Sequence, residues 1–201
     1  MSTWAVGWVG PFEYLNDVVS SSVISGVNID ARQLNVCASI RPKNNNNLSL
    51  FHADACRMPL PGCSQDVVIC IEAMFHFSSR SSFFREAHRV LKPKGKLILT
   101  DILISPGFET KDNEKCLLSH QYISSILNED YGPWPHPFLG VPELCAQAAA
   151  AGFDLVYEED ITCNTLPSYS FISPKAFGLN PDQLTQRRPS KWCNSGGSAP
   201  A

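Results

Sequence analysis

The stretch Ser64–Leu103, SQDVVICIEAMFHFSSRSSFFREAHRVLKPKGKLILTDIL, decides the fold. Val67–Ile71 is an unbroken apolar run, the pattern of a parallel strand covered on both faces. The run stops at Glu72, and His76 follows four residues later. Ser78–Ser82 can cap a helix in which Phe83, Phe84, Ala87, Val90 and Leu91 recur at helical spacing. Pro93 and Gly95 stop that helix, and Lys96–Ile102 reads as a second buried strand closing on Asp101. Strand, helical crossover and parallel strand make one right-handed βαβ unit. Ligands bind beyond the carboxyl ends of such strands, so Glu72, His76 and Asp101 stand where chemistry is expected.

Upstream, Thr3–Val6 is a short strand running into Gly7-Trp8-Val9-Gly10-Pro11, followed by a helix over Phe12–Val19 and a strand over Val23–Val27. A glycine turn between strand and helix, with a polar residue ending the next strand about 20 residues on, is the logic of a nucleotide site. The spacing G-x-x-G fits an ordinary strand-to-helix turn equally well. Ala31–Ile40 continues as a helix, Pro42 and Asn44–Asn47 make a polar loop, and Leu48–His52 is a strand closing on Ala53-Asp54-Ala55. Pro59-Leu60-Pro61-Gly62 turns the chain into the central unit. The fold class is α/β: an open, mostly parallel sheet with helices on both faces. Taken with the family resemblance given below, the alternation implies the strand order Leu48–His52, Val23–Val27, Thr3–Val6, Val67–Ile71, Lys96–Ile102.

Composition bounds what the chain can do. Its 201 residues, 44% hydrophobic, suit one well-buried core rather than two domains. A net charge of −3 gives no electrostatic case for nucleic acid or an anionic membrane. No run reaches membrane-spanning length, and no charged leader opens the chain, which implies a cytoplasmic protein. The eight cysteines include no C-x-x-C, and several lie in apolar patterns as reduced core thiols do. His52, Cys56 and Cys63 match no zinc spacing, so no metal is expected.

Downstream, Asp112–Leu127 has a helical pattern, and Tyr131-Gly132-Pro133-Trp134-Pro135-His136-Pro137 is a rigid aromatic loop. Val141–Ala151 reads as a helix stopped by Gly152, and Phe153–Ile161 as a strand with which Tyr169–Ile172 can pair. The domain is placed at 1–177. Residues 178–201 are polar and Pro/Gly/Ser-rich, the composition of a disordered tail.

The ordered set GVNIDARQL, ADACRMPLP, DVVICIEAMFHF and FFREAHRVLKPKGKLILTDIL resembles the successive motifs of the class I S-adenosylmethionine-dependent methyltransferases, a Rossmann-like family. The similarity covers about residues 5–173. It points to the small-molecule branch, which includes macrolide-sugar O-methyltransferases and plant alkaloid N-methyltransferases. The resemblance implies that S-adenosylmethionine is the cofactor and a small molecule the methyl acceptor. Gly7 and Gly10 would then lie under the methionine part. Asn28 stands where the family usually has an acidic ribose ligand, with Gln33 as a second polar contact. Asp54 would accept from the adenine amino group beside the Ala55 backbone, and Glu72 would close the fourth strand near the cofactor. His76 and Asp101 match acid–base positions of some members, and Tyr131, Trp134 and His136 would lie over the acceptor.

Two departures stand out. The family's first motif reads acidic-x-Gly-x-Gly-x-Gly, whereas here Trp8 and Val9 are expected to put side chains where backbone should meet ligand. The helical segment that precedes the first strand in the family, and lids the cofactor, is also expected to be missing.

Chemistry independent of the family agrees. Methyl transfer from a sulfonium needs an in-line nucleophile about 3 Å from the methyl carbon and a route for its proton. Histidine, with an ordinary pKa near 6.5, suits the base role, and Asp101 can orient the imidazole. His76 packing between Phe75 and Phe77, with Asp101 capping a loop, is the structural alternative. His88, on a helix face with Arg85, Glu86 and Arg89, reads as solvated. Three functions stay open: small-molecule O- or N-methylation; a methyltransferase-fold remnant or interaction module without productive cofactor binding; and a nicotinamide-dependent oxidoreductase. The last lacks G-x-G-x-x-G and a hydride-site pair. The oligomeric state is not legible.

Overall fold

In a computed structural model of the chain, the described residues are 2–7 (backbone only), 9–104, 124–125, 128, 134–135 and 139–165. Five parallel strands form one sheet: β1 (Ser2–Gly7), β2 (Val23–Asn28), β3 (Asn47–His52), β4 (Gln65–Ile71) and β5 (Leu91–Thr100), in the order β3-β2-β1-β4-β5. This is the expected order, with β1 at its centre. Among the described residues, the helices that accompany the strands include α1 (Val9–Val18), α2 (Ala31–Cys37), α3 (Arg80–Val90) and α4 (Val141–Ala150).

The two faces carry separate cores. Phe12, Ile24 and Cys37 form one, flanked by Val9, Leu15, Leu48 and Leu50, where α1 and α2 lie over β2 and β3. Gly26 lets the helix side pack closely there, because a Cβ would meet Leu50 Cδ2 at 2.9 Å and the Phe12 ring at 3.2 Å and those side chains would have to shift. The larger core, on the opposite face, gathers Val27, Val68, Cys70, Phe83, Phe84, Ala87 and Val90 beneath α3 and α4. Alternation along β4 follows: Val68 and Cys70 are fully buried, while Val67, Ile69 and Ile71 are half-buried. The expectation that β4 is covered on both faces therefore holds for one face only.

Local chemistry sets the boundaries. The Ser79 hydroxyl oxygen accepts the Ser82 N–H at 3.1 Å and caps α3, inside the serine run that suggested a cap. Asp30 caps α2 by accepting the Arg32 N–H at 2.8 Å. The α3 helix ends at Val90, and Leu91 enters the sheet at once opposite Gln65. The ladder then skips, because Val67 faces Lys96, so Lys92–Gly95 arch out of the sheet with Lys94 at φ +67°. The continuous ladder starts at Lys96, as expected, but ends at Thr100 rather than Ile102.

Three expectations need correction. Helix α1 begins at Val9, not Phe12, so Pro11 lies in its first turn, where the missing N–H costs nothing. Helix α2 ends at Cys37, not Ile40. Phe153–Ile161 is not a strand: Gly152 (φ +95°) follows α4, Phe153 packs on the large core, and from Asp154 through Asp160 the chain runs exposed and unpaired by any described strand. Cys37 and Cys70 are buried free thiols, as expected of cysteines in apolar patterns, whereas Cys163 is disulfide-bonded. The Asp112–Leu127 helix falls almost wholly outside the described residues, and the Tyr169–Ile172 pairing and the 178–201 tail fall wholly outside them. Among the described residues no helix is long and apolar enough to cross a membrane.

Candidate functional site

Register aligns the carboxyl ends of the strands. Gly7 pairs with Ile71 and Ile71 with Thr100, while Asn28 pairs with His52. Helices leave β1 and β2 toward one face, and α3 leaves β4 toward the other. The chain thus reverses its winding between β1 and β4, which opens a crevice beyond Gly7 and Ile71. Gly7, Asn28, Asp54, Glu72 and Asp101 all follow or end strands on this rim.

At the β2 end, the Asn28 Nδ2 donates to Gln33 Oε1 at 2.9 Å, and Asn28 Oδ1 accepts the Asp30 N–H at 2.8 Å. The two amides expected to act together are therefore in contact. The nearby carboxylate does not replace the missing acid, since Asp30 is held by the Arg32 backbone and guanidinium. Beyond β3, exposed Asp54 accepts the Cys56 N–H at 2.8 Å, the turn-capping role open to any such aspartate. The Ala55 methyl belongs to the large core, which leaves only its backbone for a ligand. Burial first, then the Asp54 charge, pushes the Cys56 thiol up to about 11, which disfavours its thiolate.

The glycine turn corrects the expectation for Val9. Its side chain packs on the core of Phe12 and Ile24, and its backbone is the first turn of α1. It does not fill the crevice. Among the described residues outside the helix's own backbone, nothing lies within 4 Å of a Cβ built on Gly10. Trp8 lies outside the described residues.

At the β4 end, Glu72 has φ +44°, an uncommon conformation for a residue with a Cβ. Its N–H is shared between Thr100 O and Thr100 Oγ1, both at 3.1 Å, which ties the ends of β4 and β5 together. A 3₁₀ turn, Met74–His76, follows. His76 is half-buried, with its ring 4.4 Å from that of Phe75 and 6.2 Å from that of Trp134. Trp134 is buried and stacked on Phe75 at 4.2 Å, so it acts here as a latch rather than an open pocket wall. Tyr131 and His136 lie outside the described residues.

Asp101 differs from expectation. Its Oδ2 accepts from Arg80 Nε at 2.8 Å, with the two side chains 0% and 2% exposed, and no hydrogen bond joins it to His76. Burial raises its carboxyl above the usual range; Arg80 chiefly opposes that shift, and His76 adds a smaller opposing charge effect. Its Oδ1 is buried without a hydrogen-bond partner. Arg80 is the residue that sequence reasoning missed. The available signal was a lone arginine inside a serine-rich cap directly after His76. His88 is exposed as read, with its ring edge-on to Phe153 at 5.5 Å. Among the described residues no group of three His, Cys, Asp or Glu could hold a metal ion.

Comparison with known proteins agrees with this geometry. The family model "Methyltransferase domain" matches residues 4–99. A 27-O-demethylrifamycin SV methyltransferase of Amycolatopsis mediterranei is 27% identical over 84% of this chain and 58% of its own length. A sterol 24-C-methyltransferase of Gibberella zeae is 28% identical over 84% of this chain and 44% of its own. The chain thus spans about half the length of the curated relatives it matches. Among solved structures, a mycolic acid cyclopropane synthase complexed with S-adenosylhomocysteine aligns with TM-score 0.69 at 17% identity, over 92% of this chain and 65% of that one. A phosphoethanolamine N-methyltransferase of Haemonchus contortus, in complex with S-adenosylmethionine, aligns with TM-score 0.58 at 17% identity, over 89% and 38%. Parallel sheet, switch-point crevice and sequence match converge: residues 4–99 match the methyltransferase domain family, on the Rossmann-like fold that the solved methyltransferases share.

Proposed function

We propose that the domain binds S-adenosylmethionine in the crevice between β1 and β4 and transfers its methyl group to a hydroxyl or amine of a small molecule. The observation that carries the reading is the alignment of Gly7, Asn28, Asp54 and Glu72 along one rim of strand ends. Among the described residues, the space over Gly10 fits a ligand held against the start of α1. When bound, S-adenosylmethionine supplies an electrophilic methyl on a sulfonium. Gly7 and Gly10 admit the ligand backbone-close, Asn28 and Gln33 offer amides to ribose hydroxyls, and Asp54 beside the Ala55 backbone meets the adenine edge. Glu72 borders the sulfonium side. His76, beyond the β4 end, is the candidate to accept the acceptor's proton at a ring nitrogen. Asp101 lends it a negative field rather than a hydrogen bond.

A second reading, a fold retained without productive cofactor binding, is favoured by one observation: Asn28 donates to Gln33, and the nearby carboxylate at the β2 end, Asp30, is engaged by Arg32. Calorimetry with S-adenosylmethionine, S-adenosylhomocysteine and NAD separates the readings. Saturable binding of the first two and none of NAD is expected, and Asp54→Ala should weaken S-adenosylhomocysteine by about 1–3 kcal/mol. No binding of either sulfur compound to the wild type overturns the proposal in favour of the second reading.

A further inference from the structure

The fold treats the two carboxylates at the β4 and β5 ends differently. Asp101, one residue past β5, has a fully buried side chain and a counter-ion, Arg80, at 2.8 Å. Glu72, one residue past β4, is half-buried, and among the described residues its carboxylate makes no ion pair and no hydrogen bond. Its main chain is also set apart. Residue 72 stands at φ +44°, fixed there by the Thr100 carbonyl and hydroxyl oxygens that share its N–H. Glycine takes this conformation freely, whereas glutamate takes it at a cost. Backbone shape alone would call for glycine, so what Glu72 contributes is its side-chain charge.

Topology says which part of a ligand that charge meets. Gly7 of β1 pairs with Ile71, so Glu72 is the first residue beyond the sheet at the switch point. Strands β3, β2, β1 and β4 are consecutive neighbours, so the ends carrying Asp54 and Glu72 lie three strand spacings, about 14 Å, apart. A ligand whose adenine meets Asp54 thus brings its sulfur-bearing arm, not its ring, to the β4 end. Asp54 is exposed and screened by water, whereas half-buried Glu72 is screened less.

We propose that Glu72 makes the crevice charge-selective, so that it holds S-adenosylmethionine by its sulfonium and lets S-adenosylhomocysteine go once that charge is lost. This rests on the reading of the crevice as a cofactor site. In the transfer, a lone pair on the acceptor's oxygen or nitrogen forms the bond to the methyl carbon. The carbon–sulfur bond breaks with its electron pair left on sulfur, and the acceptor's proton passes to a base, His76 in that reading. Sulfur changes from a cation to a neutral thioether while the rest of the ligand stays the same. Attraction to a carboxylate operates before the transfer and vanishes after it. Groups that touch adenine or ribose hold both forms alike and give no preference. Asp101 cannot supply it either, because Arg80 already neutralises its charge. The preference is a difference of two affinities, and Glu72 is the residue that sets it.

Calorimetry of the full chain tests this with S-adenosylmethionine, S-adenosylhomocysteine and the analogue in which a protonated amine replaces the sulfonium. The wild type is expected to bind the two cations at least about tenfold more tightly than S-adenosylhomocysteine. Glu72→Gln, equal in size, should abolish that preference by weakening both cations while leaving S-adenosylhomocysteine within about twofold. Glu72→Gly, whose backbone suits φ +44°, should abolish it as well; a preference retained there would place the discrimination in the backbone and overturn the proposal. A wild type that binds S-adenosylhomocysteine as tightly as S-adenosylmethionine overturns charge selection and leaves the cofactor site standing. The same holds if Glu72→Gln weakens all three ligands equally. A wild type that binds none of the three overturns both readings.

Discussion

Arg80 and Asp101 show what a buried charge does for this domain and what it does not. With both side chains out of water, the pair gains Coulomb energy but has lost two hydration shells, so its net worth is small while the cost of breaking it is large. Arg80→Met alone should destabilise the fold by about 3–5 kcal/mol, because it strands the Asp101 charge, whereas Arg80→Met with Asp101→Leu should recover most of that loss. Urea denaturation of the three proteins decides it, and additive losses would refute the account. The sequence made Asp101 legible as a residue at a strand end but not its partner. Periodicity places a side chain on a face; it does not say which of two nearby nitrogen groups, His76 or Arg80, a carboxylate will choose. Val9 failed for the same reason in reverse. Read as part of a ligand turn it was an obstruction, but a helix starting three residues earlier rotates it into the Phe12 core.

The elements themselves were more readable than their contacts. Unbroken or alternating apolar runs located the five described strands, and their alternation with helices together with the family resemblance gave the order, because a parallel sheet with helical crossovers leaves few topologies open. Phe153–Ile161 carries the same alternation yet forms no strand, since pattern supplies a face and pairing must supply a neighbour. The link between α3 and the loop before β4 was invisible in sequence. Glu86 Oε1 accepts the Met58 N–H at 2.7 Å, and Arg89 donates to Leu60 O and Met58 O. The Arg89 guanidinium, through its hydrogen bonds, holds the Glu86 carboxyl below its usual range, so the folded state releases that proton more readily than the unfolded one. The stabilisation is complete above the unfolded value, about 4.3, and is lost as pH falls through the lower folded value. The stability gap between wild type and Glu86→Gln should therefore shrink on acidification through that window. A gap constant into strong acid would show that the carboxylate charge is irrelevant.

For the whole molecule, the two cores are unequal, and so should be their resistance to opening. Beneath α3, the buried residues Val68, Cys70, Phe83, Phe84 and Val90 interlock β4 with its crossover helix. On the other face α2 is seven residues long and buries Cys37 alone. Native-state hydrogen exchange should show the amides of Val68 and Cys70 opening only with global unfolding, and those of α2 opening locally at lower free energy. Equal protection in both would mean that the faces unfold as one unit. The Lys92–Gly95 arch bears on a different property, the chain's capacity to change length. Because Leu91 is fixed opposite Gln65 and Lys96 opposite Val67 on either side of it, the spacing of those two anchor points does not depend on how many residues bulge between them. An insertion there would lengthen a solvent-facing loop and leave Thr100 level with Ile71. The domain thus carries, inside a strand, a graft site through which a tag or a peptide can be added without disturbing the rim.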